Sequence, residues 1–106
     1  MKLVYICSPF RGDYEQNIIK AQGYCKEAIN KGVLPVAPHV YFPQFLDDSS
    51  AEERGLGIYL GVQLLAYCKE VWVFGMDNPS EGMQLEIECA QQCGIPVIDA
   101  AEVLRQ

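Results

Sequence analysis

The sequence predicts an α/β fold: a small doubly wound, flavodoxin- or Rossmann-like parallel sheet of four strands in the order 2-1-3-4, with helices on both faces. Short apolar segments alternate with segments of helical periodicity, which is typical of parallel strands joined by right-handed crossovers. Pro35 lies inside the second apolar segment and cannot donate to a strand ladder, so that strand is predicted at a sheet edge. The chain has 106 residues, 50% of them hydrophobic, so residues 1–106 are predicted to form one domain whose core needs no disulfide or structural metal.

The first strand and helix are predicted between residues 3 and 32. Residues 3–7 form an apolar run typical of a buried strand, and residues 8–12 interrupt it. Asp13 and Gln16 have the spacing of a capping box, and Gly32 ends the helix. Within that helix the apolar residues recur at helical spacing: Ile18, Ala21, Cys25, Ala28 and Ile29.

The middle of the chain is predicted to contain a strand at 33–37, a loop at 38–50 and a helix that Ser50 caps. The loop is rich in aromatic residues and long for a compact domain, which favours a functional lid. Three glycines in the helix cost it stability, and they predict close packing of another backbone, such as that of a second subunit. These glycines are Gly55, Gly57 and Gly61.

The last third of the chain is predicted to contain strands at 70–74 and 95–98. Gly75 ends the earlier of these strands, and a turn at 76–79 follows. Ser80 then caps a helix that extends to Cys93-Gly94, and a short helix closes the chain.

Charge excludes several classes of partner. The formal net charge is −6, and eight Lys and Arg residues are scattered along the chain, so neither a nucleic-acid polymer nor an anionic membrane is an expected partner. A small anionic ligand is compatible with this charge, because a local arginine and a helix N-terminus attract anions. No signal peptide or long apolar span is evident, which predicts a cytoplasmic protein.

The cysteines and the histidine argue against a metal site. The chain has five cysteines without a CxxC pair, which is typical of free thiols in a reducing compartment. His39 is the only histidine, which argues against zinc. Neither a GxGxxG motif nor a P-loop lysine is present, so classical dinucleotide or nucleoside-triphosphate binding is not expected. We therefore predict no metal and no cofactor.

The topology predicts a site where the strand order reverses, between strands one and three. This rule brings together the loops at 8–12 and 75–80. Glu86 lies on the inward edge of the apolar stripe of the helix that Ser80 begins. Burial of a carboxylate costs several kcal/mol unless it is partnered, so Glu86 has either a functional role or a hydrogen bond to a loop.

Other residues near the same edge have two interpretations each. Tyr5 lies at the end of strand one, where its hydroxyl either reaches the site or is satisfied within the core. Arg11 either binds a phosphate, with Gly12 allowing close approach, or is solvated. His39 and the aromatic residues of the following loop either stack on a base or fill space over the sheet edge.

Two segments of the sequence resemble the nucleoside 2-deoxyribosyltransferase superfamily, and above all its small bacterial and phage relatives of the DUF4406 and DUF7768 types. They are residues 5–12 (YICSPFRG) and 80–86 (SEGMQLE). Residues 37–39, 53–54 and 71–75 also resemble those relatives, so the similarity covers nearly the whole chain.

The resemblance implies an enzyme that attacks the anomeric carbon of a deoxynucleoside with a glutamate. The nucleophile falls on Glu86, and the tyrosine that orients it falls on Tyr5. The serine that holds a 5′-phosphate falls on Ser80, and the phosphate loop falls on Arg11 and Gly12. We assign Ser8, His39 and Gly82 to substrate binding as well.

The chain departs from the superfamily at two acidic positions. The acid that helps to protonate the leaving base falls near Gly61, and an aspartate common in the small relatives is Lys69 here. Glu53, Asp77 and Glu81 are alternative acids, and no spacing selects one. The resemblance therefore implies either an N-glycosidase or 2-deoxyribosyltransferase, or a non-catalytic nucleotide-binding module of a phage or bacterial accessory protein. It also implies a homo-oligomer, for which the sequence offers Tyr59, Leu60 and Tyr67.

Overall fold

A computed structural model describes residues 1–10 and 12–106, and within them the strands form one parallel sheet in the order β2-β1-β3-β4. The strands are β1 (Leu3–Cys7), β2 (Leu34–Val36), β3 (Glu70–Val73) and β4 (Val97–Asp99). The helices are α1 (Tyr14–Asn30), α2 (Pro38–Tyr41), α3 (Ala51–Leu65), α4 (Glu81–Gln92) and α5 (Ala100–Leu104), with a 3-10 turn at Phe42–Gln44. The predicted class, strand direction and strand order are confirmed.

The register of the sheet explains why a proline is tolerated in β2. Tyr5 in β1 pairs with Val36 on one side and with Val71 on the other, so β1 is an interior strand. Pro35 pairs with Val4 in the edge strand β2, which has a hydrogen-bonded neighbour on one side only. A missing N–H therefore costs little at this position, as predicted.

The alternation of side chains along the strands divides the core between the two faces of the sheet. Tyr5 and Cys7 point to the face that α3 and α4 cover, where they pack with Leu65, Cys68, Val71, Val73, Met83 and Ala90. Val4 and Ile6 point to the face that α1 and α5 cover, where they pack with Ala28, Val33, Trp72, Phe74 and Ala100. Helices on both faces follow from these two apolar surfaces.

The fourth strand begins two residues later than predicted, at Val97. The backbone N–H of Ile95 donates to the carbonyl oxygen of Ala90 at 2.8 Å, so Ile95 belongs to the end of α4. Pro96 has no N–H to give, and it joins the sheet only by accepting a bond from Val71 at 2.9 Å. Strands two and three are one or two residues shorter than predicted.

Residues 38–44 are helical, so the prediction of an irregular loop over this part of 38–50 is wrong. Pro38 occupies the first turn of α2 and Pro43 that of the 3-10 turn, where a missing N–H removes no helical bond. Tyr41, Phe42 and Phe45 pack against one another with ring centroids 5.0 to 5.8 Å apart. This aromatic cluster holds together a segment whose composition alone indicates a loop.

The glycines of α3 do not all have the predicted neighbour. A Cβ built on Gly61 would lie 3.4 Å from the hydroxyl of Tyr5 and 3.7 Å from the ring of Pro38. The close approach at Gly61 is therefore to side chains of the same chain rather than to another backbone. A Cβ on Gly57 would meet Leu46 at 3.6 Å, and one on Gly55 would meet nothing within 4 Å.

Side-chain caps fix the starts of the three longest helices among the described residues, as predicted. Asp13, Ser50 and Ser80 each accept a hydrogen bond from a backbone N–H three residues later, at 3.3 to 3.4 Å. Across 1–10 and 12–106, none of the helices combines the length and apolarity that a membrane span requires.

Candidate functional site

A cavity of about 380 Å³ opens where the strand order reverses, beyond the carboxyl end of β1. The end of β1 and the loop after it, α2 and the segment after it, α3 and the first turns of α4 form its walls. Its volume lies within the usual range for a small-molecule site. The predicted site residues that line it are Tyr5, Ser8, His39, Ser80, Gly82 and Glu86.

Glu86 lies in this cavity with a different donor on each carboxylate oxygen. The Tyr5 hydroxyl donates to Oε2 of Glu86, and Sγ of Cys7 donates to Oε1 at 3.5 Å. The two donors lie two residues apart on β1, so they share one face of the strand. Met83, one turn before Glu86, is fully buried and fixes this side of α4 against the sheet. The predicted inward direction of Glu86 is thus what the structure has.

Burial sets the protonation of these three groups. It raises the pKa of Glu86 to about 7, although the hydrogen bonds from Tyr5 and Cys7 oppose the rise. Burial also raises the pKa of Tyr5 and of Cys7 well above their ordinary values, and the adjacent carboxylate adds to both shifts. The phenol and the thiol therefore keep their protons, and Glu86 is the member of the group that titrates near neutral pH.

A second polar pair lines the same cavity, where the end of β1 meets α2. Oγ of Ser8 and Nε2 of His39 share a hydrogen bond of 2.9 Å, and Ser8 is buried. Burial lowers the pKa of His39 to about 4, so the imidazole is neutral at neutral pH. The Phe10 ring meets the imidazole edge on, with centroids 5.8 Å apart.

The first turn of α4 brings backbone N–H groups to the cavity. Ser80 caps the helix through the N–H of Met83 at 3.3 Å, and its hydroxyl proton is free for another acceptor. A Cβ built on Gly82 would meet no heavy atom within 4 Å, so this part of the helix is open to a ligand. An N-terminal turn with these properties suits an anionic group.

The structure describes the predicted phosphate loop, Arg11 and Gly12, only at Gly12. Gly12 is exposed, has a φ of +98° and does not line the cavity. Arg11 lies outside the described residues. The assignment of a phosphate to Arg11 and Gly12 therefore stays a prediction.

Three polar residues of the site were not among the predicted site residues, namely Cys7, Asp48 and Arg54, and Glu81, which the sequence offered only as an alternative acid, also lines the cavity. Cys7 was interpreted only as a buried thiol, although its spacing of two from Tyr5 places both on one strand face. Arg54 lines the cavity from the start of α3, where Nη1 donates to the carbonyl oxygen of Asp48 at 3.2 Å. Its position in the first turns of a capped helix gave no signal that it faces a cavity.

The arrangement is that of a carboxylate site for a small organic ligand. A carboxylate with two donors and a largely apolar surrounding can attack or stabilise an electron-poor carbon. The described residues contain no group of three or more His, Cys, Asp and Glu side chains placed to hold a metal ion.

Comparisons with known proteins support the fold and the family. No curated protein sequence matches the chain. A solved structure described as a 2-deoxyribosyltransferase from the psychrotolerant bacterium Bacillus psychrosaccharolyticus matches with a TM-score of 0.66, 17% identity, and coverage of 90% of this chain and 69% of that one. At this identity the likeness shows the fold. The family model described as a domain of unknown function, DUF7768, matches residues 2–100, so the chain belongs to the DUF7768 family.

Proposed function

We propose that the protein cleaves the N-glycosidic bond of a deoxynucleoside or of its 5′-monophosphate, as a 2-deoxyribosyltransferase or an N-glycosidase. Glu86 is the nucleophile and Tyr5 orients it. The observation that carries the proposal is the hydrogen bonding of Glu86, whose two oxygens are held by separate donors at a cavity of nucleoside size. The neighbouring fold of a 2-deoxyribosyltransferase supports the same class of reaction.

The reaction begins with an ionised Glu86. One carboxylate oxygen attacks the anomeric carbon as the base departs, and the sugar passes through an oxocarbenium-like transition state. Water or a second base then displaces the glutamate from the sugar. The hydroxyl of Tyr5 and the thiol of Cys7 restrict the rotation of the carboxylate, so its attacking oxygen is aligned before substrate binds.

Substrate binding is divided between two groups of residues that line the cavity. Ser80 and Gly82 at the start of α4 bind a 5′-phosphate or 5′-hydroxyl, with the predicted help of Arg11 and Gly12. Ser8 and His39 offer a neutral polar pair for hydroxyl or base atoms. Apolar and aromatic walls cover the flat faces of the base, as in most small-molecule sites.

Self-association belongs to the same proposal. Apolar side chains are exposed along α3 and the turn after it, including Leu56, Ile58, Tyr59, Leu64 and Tyr67, while Leu60 is partly buried. A surface with this many exposed apolar residues favours a homo-oligomer. Light scattering should give a mass above that of the 11.9 kDa chain, and a monomer at high concentration would contradict this part of the proposal.

Base release tests the activity directly. Purified protein is incubated with a panel of deoxynucleosides and their monophosphates, with both neutral and N-alkylated bases, and free base is measured by chromatography. Glu86→Gln should abolish release, because an amide cannot act as the nucleophile. Glu88→Gln on the exposed face of α4 is the matched control and should retain full activity. If wild type and Glu86→Gln both release no base from any substrate of the panel, the proposed enzymatic activity is refuted.

A second candidate function is a non-catalytic nucleotide-binding module. The glycine at position 61 favours it, because this part of α3 places no acid beside Tyr5. Thermal-shift measurements with nucleotides distinguish the two candidates. Stabilisation by ligands without any turnover identifies the binding module, and stabilisation accompanied by turnover identifies the enzyme.

A further inference from the structure

Glycosidic cleavage of a neutral nucleoside has a requirement that the contacts of Glu86 do not meet. The departing base of such a substrate leaves as an anion unless an acid protonates it. The described side chains that hydrogen-bond to Glu86 are Tyr5 and Cys7, and both direct their protons at the carboxylate. The pKa of each is raised by burial and by Glu86, so neither is a better acid than a free phenol or thiol.

The turn of α3 beside the Tyr5 hydroxyl also lacks an acidic side chain that could protonate the base. Gly61 faces the Tyr5 hydroxyl so closely that a Cβ there would already be in van der Waals contact, at 3.4 Å. A Cβ would also meet the ring of Pro38 from the other side, at 3.7 Å. The residue of α3 that faces the Tyr5 hydroxyl is therefore a glycine, which supplies no acid.

The histidine of the cavity is also unsuited to protonate a base. His39 shares its Nε2 hydrogen bond with Ser8, and burial lowers its pKa to about 4. At neutral pH it is a neutral imidazole, which is too weak an acid to transfer a proton to a leaving purine or pyrimidine.

The same cavity is well suited to positive charge. Among its described lining residues, Asp48, Glu81 and Glu86 are acidic and Arg54 is the one lysine or arginine. No hydrogen bond of the described residues brings Asp48 or Glu81 to Glu86 or Tyr5, so neither is held beside the attacking carboxylate as an acid. The rings of Phe10 and Phe42 also line it, and aromatic faces attract cations. The formal net charge of the whole chain, −6, acts in the same direction.

We propose that the substrate is an N-glycoside whose base is already cationic, such as an N-alkylated purine or a pyridinium. The proposal rests on the function proposed above. When the bond between the anomeric carbon and the ring nitrogen breaks, its electron pair stays on the nitrogen and cancels the positive charge. The base thus leaves as a neutral molecule, and no acid is needed. A Glu86 oxygen forms the new bond to the sugar, and water later displaces it, releasing one proton to solvent.

Paired substrates that differ in charge but little in shape test this proposal. One pair is 7-methylguanosine and guanosine, and the other is nicotinamide riboside and its reduced, neutral dihydro form, each in the ribose and 2′-deoxyribose series. Initial rates of base release are measured with wild type, Glu86→Gln and the control Glu88→Gln, after subtraction of the rate without enzyme. General acid catalysis contributes at least about 100-fold, so kcat/KM should be at least about 100-fold higher for the cationic member of each pair.

The outcomes separate this proposal from the function on which it rests. Release that depends on Glu86 and is equally fast for neutral and cationic members overturns the charge requirement and leaves the glycosidic activity in place. A preference for one cationic base over the other identifies the base within the proposed class. Absence of Glu86-dependent release from every substrate overturns both proposals.

Discussion

Replacement of Tyr5 by phenylalanine tests whether the hydrogen bond to Glu86 sets the protonation of the carboxylate. The variant keeps the buried ring and removes only the hydroxyl that donates to Oε2. Because this bond stabilises the ionised form, it holds the pKa of Glu86 below the value that burial alone would give. Its loss should therefore raise that pKa further above about 7.

The size of the shift follows from the energy of the bond. A hydrogen bond to a charged group contributes about 1.5 to 3 kcal/mol. One pKa unit corresponds to about 1.4 kcal/mol, so Tyr5→Phe should raise the pKa of Glu86 by about one to two units. At pH 7 the ionised fraction, and with it kcat/KM, should fall by about 5- to 50-fold, because the wild-type carboxylate is about half ionised at that pH.

The assay is the pH profile of kcat/KM for base release between pH 5 and 10, on a substrate that wild type turns over. The profile of Tyr5→Phe should rise at a higher pH than that of wild type and should recover much of the activity at its alkaline end. Tyr59→Phe, at an exposed tyrosine of α3, is the control and should keep the wild-type midpoint. A midpoint for Tyr5→Phe that is unchanged or lower would refute the reasoning.

Three further results are expected. Cys7→Ala should raise the pH midpoint of kcat/KM, as Tyr5→Phe does, but by less, because a thiol is the weaker donor. Cys7→Ser should bring the midpoint part of the way back to that of wild type. Equal profiles for Cys7→Ala and wild type would show that the thiol does not hold Glu86. Gly61→Val should lower kcat/KM and the melting temperature together, because its Cβ would already be in van der Waals contact with the Tyr5 hydroxyl and its two methyl groups would need room beyond it. Gly55→Ala on the same helix should leave activity intact, and a fully active Gly61→Val would contradict the contact. The difference between the melting temperatures of wild type and Glu86→Gln should shift against wild type as the pH rises from about 4.5 to about 7, because the folded state holds the Glu86 proton more tightly than the unfolded chain does. Calorimetry that finds the same difference at every pH would argue against the raised pKa.

The strand order and the inward position of Glu86 were predictable because they depend on local periods and one topological rule, whereas the pairing of Tyr5 with Glu86 was implied only by the family resemblance. A period of two assigns alternate residues of β1 to opposite faces, and a period of 3.6 does the same for α4. The proline in β2 predicts that β2 is an edge strand. With β2 at the edge beside β1, the strand order reverses between β1 and β3, where the cavity opens. Each of these features can be recognised within a few residues of sequence.

The features that could not be predicted depend on contacts between distant segments. Residues 38–44 have the composition of a loop, and their helical structure goes with an aromatic cluster that becomes visible only in three dimensions. Arg54 faces the cavity because the backbone carbonyl of Asp48 holds it there, and no periodicity encodes such a bond. The fourth strand starts late for a similar reason, since Ile95 is bound to the end of α4.

The cost of the site to the fold is itself an argument for function. A leucine or methionine at position 86 would continue the apolar stripe of α4 without burying a charge. If positions 5 and 7 were apolar as well, no hydrogen-bond acceptor would be needed at position 86. The chain instead keeps a carboxylate whose pKa burial raises to about 7, together with two donors that only partly offset that burial. A purely structural role for Glu86 would need only one hydrogen bond to a loop. Here both carboxylate oxygens accept hydrogen bonds from side chains of β1, and the carboxylate faces an open cavity. A buried carboxylate that is held in place by donors although its ionised form is destabilised is expected where the carboxylate must react. Such an arrangement is difficult to explain where the carboxylate need only fill space.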